Sequence, residues 1–328
     1  MDGRPAVAYH ADHSGFGNQD DVRFIRALDA TGTLWGDPLL IEDGTQPGLG
    51  GRGISMSLIG GRPALSWVRG SGSIVYCHAS LGDGGSWFPP VVAATSGGFA
   101  RGAALCMVDG QPALSWVDGG NMLHYCRALD PAGFSWPAVQ DLELLGNFGY
   151  THSPELAVVD GKPVIAYVDD QFIDGSVRWK PALDAQGTAW EEPQELDLVL
   201  NHIIGVSMTV INGNPMLLHY AEAGLLFRAA LDGKGEVWEE PVLISTDKYT
   251  NSSFSYEQMR IAELDGRPVV LANDMSIWYA DDVEGRSWSG PEILPDDWRA
   301  DTFDLLVLNG GPVIAFQDSA LYYAVKLP

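Results

Sequence analysis

Two sets of residues stand at fixed distances before a proline that recurs through the chain. The first set, eleven residues before the proline, is Arg52, Arg101, His152, Ile204, Glu257 and Asp301. The second set, eight residues before it, is Ser55, Ala104, Glu155, Ser207, Arg260 and Asp304. Arginine binds carboxylates through paired hydrogen bonds, and a few polar groups fix the orientation of a bound ligand. The two sets therefore predict a polar site of mixed charge.

These residue types suit binding or hydrolysis of a sugar. Glycoside hydrolysis uses two carboxyl groups at a defined separation. The candidate carboxylates are Glu155, Glu257, Asp301 and Asp304. Arg52 and Arg101 would hold an anionic sugar. Aromatic residues outside the predicted strands, among them Tyr256 and Trp298, favour stacking on a sugar or contact with a protein partner.

The recurring proline closes a turn of the form Asp/Asn/Gly-Gly-x-Pro. The seven prolines are Pro5, Pro63, Pro112, Pro163, Pro215, Pro268 and Pro312. Their successive spacings are 58, 49, 51, 52, 53 and 44 residues. Apolar runs flank each turn, such as AALCMV before Pro112 and ALSWV after it. Two such runs around a glycine-containing turn predict a hairpin of strands A and B, and the aromatic-rich run that follows predicts strand C.

A second turn follows strand C and has the pattern Asp-x-x-Gly-x-x-Trp in five units. Asp232, Gly235 and Trp238 form one copy, and a shortened copy runs from Asp83 to Trp87. A proline stands three residues after most of these tryptophans and opens a short run, which is typical of an outer edge strand D. Four short strands per repeat of about 51 residues predict an all-β fold, a β-propeller with four-stranded antiparallel blades, in one domain over residues 1–328.

The turn between strands C and D resembles the Asp-box of sialidase-like propellers, with one extra residue between Asp and Gly. In that family the turn is a structural staple on the outside of the blade. The resemblance implies that the aspartate accepts turn amides and that the tryptophan wedges between blades. The resemblance covers the whole chain as architecture but includes no catalytic motif, because the family's N-terminal arginine motif and its Tyr/Glu nucleophile pair are not matched.

The number of blades follows from the number of turns. There are seven A–B turns but six C–D turns, because the first unit begins at strand B and the last ends after strand C. We predict seven blades, the first without an inner strand and the last without an outer one. A six-bladed propeller with extra terminal strands is the alternative, and a chain trimmed at its N-terminus would also explain the pattern.

The two faces of the predicted propeller differ in sequence variability. The A–B and C–D turns of one face are short and alike. The B–C and D–A connections of the other face differ between repeats, and the longest are HADHSGFGNQDD and STDKYTNSSFSYEQ. Loops that no structural template constrains often carry function. We therefore expect the functional site on the B–C/D–A face, at the mouth of the central channel, where the two polar sets begin strand A.

Aspartates on the same face suggest two further roles. The first B–C connection offers oxygen ligands suited to Ca²⁺, although no EF-hand pattern is present. The candidates are Asp12, Asn18, Asp20 and Asp21. Four more aspartates stand six residues after the turn proline, where one unit has Arg69; they are Asp118, Asp169, Asp274 and Asp318. We expect these four to cap the B–C turn by accepting backbone amides, with cation binding as the alternative.

Composition excludes several classes of partner. The net charge of −24 argues against binding to nucleic acid or to an anionic membrane, because carboxylates and phosphates repel. Three cysteines, Cys77, Cys106 and Cys126, do not form a disulfide framework, so we expect free and mostly buried thiols. No signal peptide or membrane span is visible, which predicts a cytoplasmic protein or a trimmed secreted chain.

The sequence favours a ligand-binding propeller whose partner is a carbohydrate or a protein. The connections differ from blade to blade, which favours one asymmetric site over a repeated lectin site. The alternatives are a glycoside hydrolase or polysaccharide lyase acting on an anionic sugar at the same face, and a structural interaction scaffold. No nucleotide-binding loop or nucleophile elbow is present, and the sequence predicts no cofactor beyond the calcium candidate and no particular oligomeric state.

Overall fold

The computed structural model of the chain describes residues 3–11, 20–45, 51–70, 72–95, 100, 102–146, 153–170, 174–200, 204–246, 259–294, 302–317 and 320–325. The chain divides into two compact units. Unit 1 comprises Met1–Ile165 and Pro181–Glu191, and unit 2 comprises Ala166–Lys180 and Glu192–Pro328. Within the described ranges no helix has the length and apolar character needed to cross a bilayer.

The strands form seven antiparallel sheets, the blades. Blade 1 contains β1 (Ala6–Ala11), β2 (Asp21–Arg26) and β3 (Leu39–Glu42). Blade 2 contains β4 (Gly51–Ile59), β5 (Arg62–Arg69), β6 (Ser73–His78) and β7 (Val91–Thr95). Blade 3 contains β8 (Ala104–Val108), β9 (Gln111–Val117), β10 (Met122–Arg127) and β11 (Gln140–Leu144). Blade 4 contains β12 (Glu155–Val159), β13 (Lys162–Asp170), β14 (Asp174–Pro181) and β15 (Gln194–Leu200).

The last three blades follow the same plan. Blade 5 contains β16 (Ile204–Ile211), β17 (Asn214–Ala221), β18 (Gly224–Ala229) and β19 (Val242–Ser245). Blade 6 contains β20 (Arg260–Leu264), β21 (Arg267–Leu271), β22 (Ser276–Ala280) and β23 (Trp288–Ile293). Blade 7 contains β24 (Thr302–Leu308), β25 (Gly311–Gln317) and β26 (Leu321–Val325).

The fold is a seven-bladed β-propeller, as predicted. In each four-stranded blade, strands A, B, C and D are neighbours in chain order. In the described residues blade 1 begins at strand B and blade 7 ends at strand C, as predicted. The seven sheets make the six-bladed alternative wrong. Within a blade the A–B and C–D turns lie at one end, which we call the turn end. The B–C and D–A connections lie at the other, the loop end.

The A–B turns are two-residue hairpin loops. Val108 pairs with Gln111, which leaves Asp109 and Gly110 as the loop, with φ of 45° and 76°. A type I′ turn requires positive φ at both central residues, and its twist matches that of the strands. Paired positive angles recur at 60–61, 160–161, 212–213, 265–266 and 309–310. The repeated turn motif is therefore a backbone requirement.

The C–D turn is held together by its own aspartate. Asp232 accepts backbone amides of Lys234 at 2.8 Å, Glu236 at 3.1 Å and Val237 at 2.8 Å. The indole of Trp238 donates to the Gly235 carbonyl at 2.8 Å. The same set of bonds recurs around Asp29, Asp130, Asp184 and Asp282. The predicted structural role of these aspartates is confirmed.

The tryptophan of a C–D turn packs on the preceding blade. Trp136 meets Tyr76 edge to face at 5.4 Å between ring centroids, and an added Cβ on Gly133 would lie 2.5 Å from the Tyr76 ring. Gly133 also has φ of 72°, so the position needs glycine for both conformation and space. Equivalent ring pairs are Phe24–Trp87, Tyr125–Trp190, Trp179–Trp238 and Phe227–Trp288. Each such pair contributes about 0.5–1.5 kcal/mol beyond its area burial, and the predicted wedging is confirmed.

The hydrophobic cores lie between neighbouring blades. One core joins Ile74 and Tyr76 of blade 2 to Leu105 and Trp116 of blade 3. Strand B contributes most, because in β17 every residue from Pro215 to Tyr220 is buried. A strand covered on both faces carries a continuous apolar run instead of an alternating one, which explains segments such as ALSWV.

Candidate functional site

The structure brings together two residues of the predicted channel-mouth sets. Arg260 is the first residue of β20, and Asp304 is the third residue of β24 on the next blade. The Arg260 Nε donates to Asp304 Oδ1 at 3.3 Å, and its Nη1 donates to the Met259 carbonyl at 2.9 Å. The Asp304 side chain remains 66% exposed, against 25% for Arg260. The pair is thus fixed on its arginine side and open on its carboxylate side.

Other members of the second set serve the blades themselves. The Ser55 hydroxyl accepts the Leu105 amide at 3.2 Å, linking the inner strands of blades 2 and 3. Ser207 is buried, and Glu155 is half-buried at the start of β12. Ala104 begins β8 and offers no polar group.

Most of the first set lies outside the described residues. Arg52 belongs to β4, but its side chain lies outside the described part of the structure. The remaining predicted site residues that lie outside the described ranges are Arg101, His152, Tyr256, Glu257, Trp298 and Asp301. Their roles stay predictions.

The calcium candidates are only partly within the described ranges. Asp12 and Asn18 lie outside them. Asp21 is buried, and its carboxylate accepts Arg23 Nη2 at 2.7 Å and the Gly44 amide at 3.0 Å. Asp20 lies beside it and is half-buried. In the described part of the chain no three His, Cys, Asp or Glu residues form a group that could hold a metal ion.

The predicted caps of the B–C turn are present in two blades. Asp118 accepts the amides of Gly120 at 2.8 Å and Met122 at 2.9 Å, and Asp274 accepts the amide of Ser276 at 3.0 Å. Asp169 forms an ion pair with Arg178 at 2.6 Å. Asp318 lies outside the described residues. The capping prediction is therefore confirmed for Asp118 and Asp274.

Buried charged groups near the loop ends were not predicted from the sequence. Glu42 on β3 accepts the indole of Trp67 on β5 at 2.6 Å and also forms a very short ion pair with Arg69. Both carboxylate and indole are buried, so the contact joins blades 1 and 2 through charge-assisted hydrogen bonds. The sequence contained one signal that could have predicted this contact: Glu42 ends strand D of blade 1, and Arg69 stands six residues after a turn proline.

A second buried group joins blades 4 and 5 within unit 2. Asp197 on β15 accepts Arg228 Nη2 at 2.8 Å and lies 3.3 Å from His219 Nε2. His219 is 1% exposed, and burial, aided by Arg228, lowers its pKa to about 3. Burial raises the pKa of Asp197, and Arg228 partly offsets that effect. His219 is therefore a neutral core histidine.

His124 in blade 3 lies between two carboxylates. Its Nε2 is 3.1 Å from Asp118 and its Nδ1 is 2.9 Å from Asp141, while its ring stacks on Trp116 at 5.0 Å. Asp118 thus serves both the B–C turn and this histidine. The arrangement ties strand D of blade 3 to the turn between strands B and C.

The three cysteines are free, as predicted. Cys77 and Cys126 are buried, and Cys106 is partly buried. Burial raises the pKa of Cys77 and Cys126 to about 12 and that of Cys106 to about 11. At neutral pH these thiols are protonated, so they have little nucleophilic character.

Comparison with known proteins shows the fold. No protein-family model and no curated protein matches the sequence. An ulvan lyase, a polysaccharide lyase solved with a bound glucuronate–rhamnose sulfate unit, is 11% identical, with a TM-score of 0.60, over 100% of this chain and 90% of its own. The fucose-binding lectin of Aleuria aurantia, solved with α-methyl-L-fucoside, is 13% identical, with a TM-score of 0.56, over 84% of this chain and 94% of its own.

A further similar structure comes from Arthrobotrys oligospora. This protein, AofleA, is 11% identical, with a TM-score of 0.52, over 98% of this chain and 87% of its own. Similarities at this level of identity establish a shared three-dimensional fold. The chain is thus similar in architecture to propeller lectins and to a propeller polysaccharide lyase.

Proposed function

We propose that the protein binds carbohydrate at the loop end of blades 6 and 7, where strands β20 and β24 begin. The observation that carries the proposal is the Arg260–Asp304 pair. Arg260 is held by Asp304 and by the Met259 carbonyl, whereas Asp304 is largely exposed. A fixed donor beside an open acceptor is the kind of polar contact that orients a ligand.

The chemistry of the pair matches that of sugar hydroxyl groups. A hydroxyl group both donates and accepts hydrogen bonds, so one sugar can donate to Asp304 and accept from Arg260. Hydrogen bonds in which one partner is charged are stronger than neutral ones. Because Asp304 already compensates the charge of Arg260, a neutral sugar can bind without leaving either charge unpaired.

The residues just before β20 and β24 would complete the site. Tyr256 is four residues before Arg260, and Trp298 is six residues before Asp304. A chain spans at most about 3.6 Å per residue, so Tyr256 is within about 14 Å of Arg260 along the backbone. An aromatic ring at that distance can reach a sugar held by the pair, where it would supply apolar contact.

The shared fold supports the same proposal. The Aleuria aurantia lectin holds a fucoside and the ulvan lyase holds an acidic disaccharide unit on the same architecture. A hydrolase would need a second carboxyl group about 5–10 Å from Asp304. Glu257 and Asp301, the candidates for it, lie outside the described residues. The enzyme and scaffold alternatives stay predictions.

Calorimetric titration with a fucosyl disaccharide and with a glucuronate-containing oligosaccharide tests the proposal. We expect at least one of them to bind, and Arg260→Ala to weaken that binding about tenfold or more, because a hydrogen bond to a charged group contributes about 1.5–3 kcal/mol. Asp304→Asn keeps the size of the side chain and should weaken binding as well.

Arg286→Ala is the matched control. Arg286 also pairs with a carboxylate of a neighbouring blade, Glu239, but at the turn end of blades 5 and 6. The control should bind sugar like the wild-type protein. The proposal is wrong if neither sugar binds, or if Arg260→Ala and Arg286→Ala have equal affinity. Release of product from a bound oligosaccharide would favour the enzyme alternative at the same site.

A further inference from the structure

The guanidinium of Arg260 has little capacity left for a second carboxylate. Its Nε carries one hydrogen, which donates to Asp304 Oδ1 at 3.3 Å, and its Nη1 donates to the Met259 carbonyl at 2.9 Å. A carboxylate bound side-on to arginine uses Nε and Nη2, and one bound end-on uses Nη1 and Nη2. Each of these edges already has one nitrogen engaged. An acidic sugar would therefore have to compete with Asp304 or with the Met259 carbonyl for the paired contact that arginine makes with carboxylates.

Asp304 offers a carboxylate oxygen to a ligand. Its Oδ1 accepts Arg260 Nε and also the Leu305 amide at 3.0 Å. Both of these hydrogen bonds use Oδ1, and the side chain is still largely exposed, so Oδ2 is the oxygen available to a ligand. An ionised carboxylate accepts hydrogen bonds but cannot donate them. The ligand group that meets Oδ2 must therefore be a donor, and a cationic donor forms the stronger bond.

The charge around this site has the same sign as Asp304. Residues 294–304, which lead into β24, read LPDDWRADTFD and contain four aspartates against one arginine. The whole chain carries a net charge of −24. A surface dominated by one sign of charge raises the local concentration of ligands of the opposite sign and opposes ligands of its own sign. Electrostatics at this site therefore favours a cationic ligand and disfavours an acidic sugar.

We propose that the carbohydrate preferred at this site is an amino sugar with a free ammonium group. The proposal rests on the proposed function and adds the chemical class of the ligand to it. The ammonium donates to Asp304 Oδ2, and a neighbouring ring hydroxyl accepts from Arg260. An ammonium has three donors and no acceptor, so it matches a carboxylate oxygen that only accepts. Neutral sugars bind at the same place through hydroxyl groups alone and therefore more weakly.

Calorimetric titration with two matched oligosaccharides tests the proposal. The probes are a glucosamine tetrasaccharide and its N-acetylated counterpart, which share one sugar chain and differ in charge. With the amino groups protonated, we expect the glucosamine form to bind about tenfold or more tightly, because a hydrogen bond between two charged groups is stronger than a neutral one. Raising the salt from about 0.1 M to about 1 M shortens the screening length from about 10 Å to about 3 Å and should reduce this preference. A glucuronate-containing oligosaccharide should bind more weakly than either probe.

Two variants that each remove one negative charge locate the effect. Asp304→Asn keeps the size of the side chain and should reduce the preference for the glucosamine form to about threefold or less, because only the long-range field of the other carboxylates remains. Glu236→Gln is the matched control, since it removes the charge of an exposed side chain at the turn end of blade 5. The control should keep the full preference. Thermal unfolding of both variants checks that they are folded.

The possible outcomes separate this proposal from the proposed function. Equal affinity for the two tetrasaccharides, with Arg260→Ala still weakening binding, would overturn the amino-sugar proposal and leave carbohydrate binding at the site intact. Tighter binding of the glucuronate-containing oligosaccharide would also overturn it. An equal loss of preference in Asp304→Asn and Glu236→Gln would do the same, because net charge and not Asp304 would then attract the ligand. If neither the neutral sugars nor the glucosamine form binds, both proposals are wrong.

Discussion

Asp232 and Asp197 lie toward opposite ends of the blades, and they differ in the partners they contact and in the direction in which their pKa is shifted. At the turn end, Asp232 accepts three amides from within five residues of itself. Burial would raise the pKa of Asp232, but these backbone hydrogen bonds outweigh that effect and lower it. Near the loop end, Asp197 contacts His219 and Arg228 of the next blade, and burial raises its pKa.

This difference distinguishes the turn end, whose contacts repeat from blade to blade, from the loop end, whose contacts differ between blades. The C–D turn aspartates, such as Asp130, Asp184 and Asp232, accept amides from within five residues of themselves, so the same turn can be used again in blade after blade. Loop-end carboxylates such as Glu42 and Asp197 depend on partners from another blade, and the two solutions differ: Glu42 pairs with Arg69 and Asp197 with Arg228. A single asymmetric binding site can form only where the blades differ.

The largest expected effect comes from disturbing the repeated turn end. Gly133→Ala places a Cβ 2.5 Å from Tyr76 at a residue with φ of 72°, so we expect a loss of about 3 kcal/mol or more in the free energy of unfolding. Gly110→Ala is the matched control, since its φ is 76° but its Cβ would meet open space. The control should lose about 1 kcal/mol. Urea unfolding measures both, and equal losses would contradict the close packing.

A smaller effect, a loss of about 2 kcal/mol of stability between pH 6.5 and pH 5, is expected from acid at the buried His219. Its pKa is about 3 in the folded chain and about 6.5 in an unfolded chain. Below pH 6.5 the unfolded chain takes up a proton that the folded chain excludes, so stability is complete above that pH and falls as the pH drops toward 3. The equilibrium constant for folding should fall about tenfold per pH unit in that window.

Urea unfolding at several pH values measures this dependence. His219→Leu removes the titrating group while leaving Asp197 paired with Arg228. The variant should therefore lose stability less steeply with acid than the wild-type protein. An equally steep dependence in both proteins would mean that other groups control the acid response.

The smallest expected effects test whether the turn end supports stability while the loop end supports sugar binding. Asp232→Ala removes an acceptor of three turn amides, and we expect it to cost about 1 kcal/mol of stability with sugar binding unchanged. Asp304→Ala should leave stability within about 0.5 kcal/mol and weaken sugar binding. Thermal unfolding and calorimetry on both variants check the pattern. If both variants change the same property, the two ends are not functionally distinct.

The sequence predicts the fold and the turn end because their determinants are local. The turn glycines, the Asp232 type of aspartate and the tryptophans act within a few residues or on a repeat neighbour, so their spacing alone is informative. The pairing of Arg260 with Asp304 and of Asp197 with Arg228 spans 44 and 31 residues. Such contacts depend on how strands of different blades align, which single-residue spacing does not encode.

The loop-end residues were predicted only in part, because spacing in the sequence gives a residue's position on a strand but not its contacts with another blade. Counting back from the turn proline correctly placed Arg260 and Asp304 on inner strands, because every strand A ends at the A–B hairpin loop, four residues before the proline. It could not distinguish Ser55, which bonds to the Leu105 amide, from a ligand-binding residue. The capping role of Asp118 could be predicted from its position after strand B, whereas its contact with His124 could not.

The ring pairs between blades also give the molecule a direction of assembly. In blades 2 to 6, the turn tryptophan packs on an aromatic residue of the blade that precedes it in the chain, as Trp136 does on Tyr76 and Trp238 on Trp179. During synthesis, the ring that receives a tryptophan is therefore made before the tryptophan itself. A nascent chain can add one blade at a time to a finished surface, so early blades need not wait for the C-terminus to leave the ribosome.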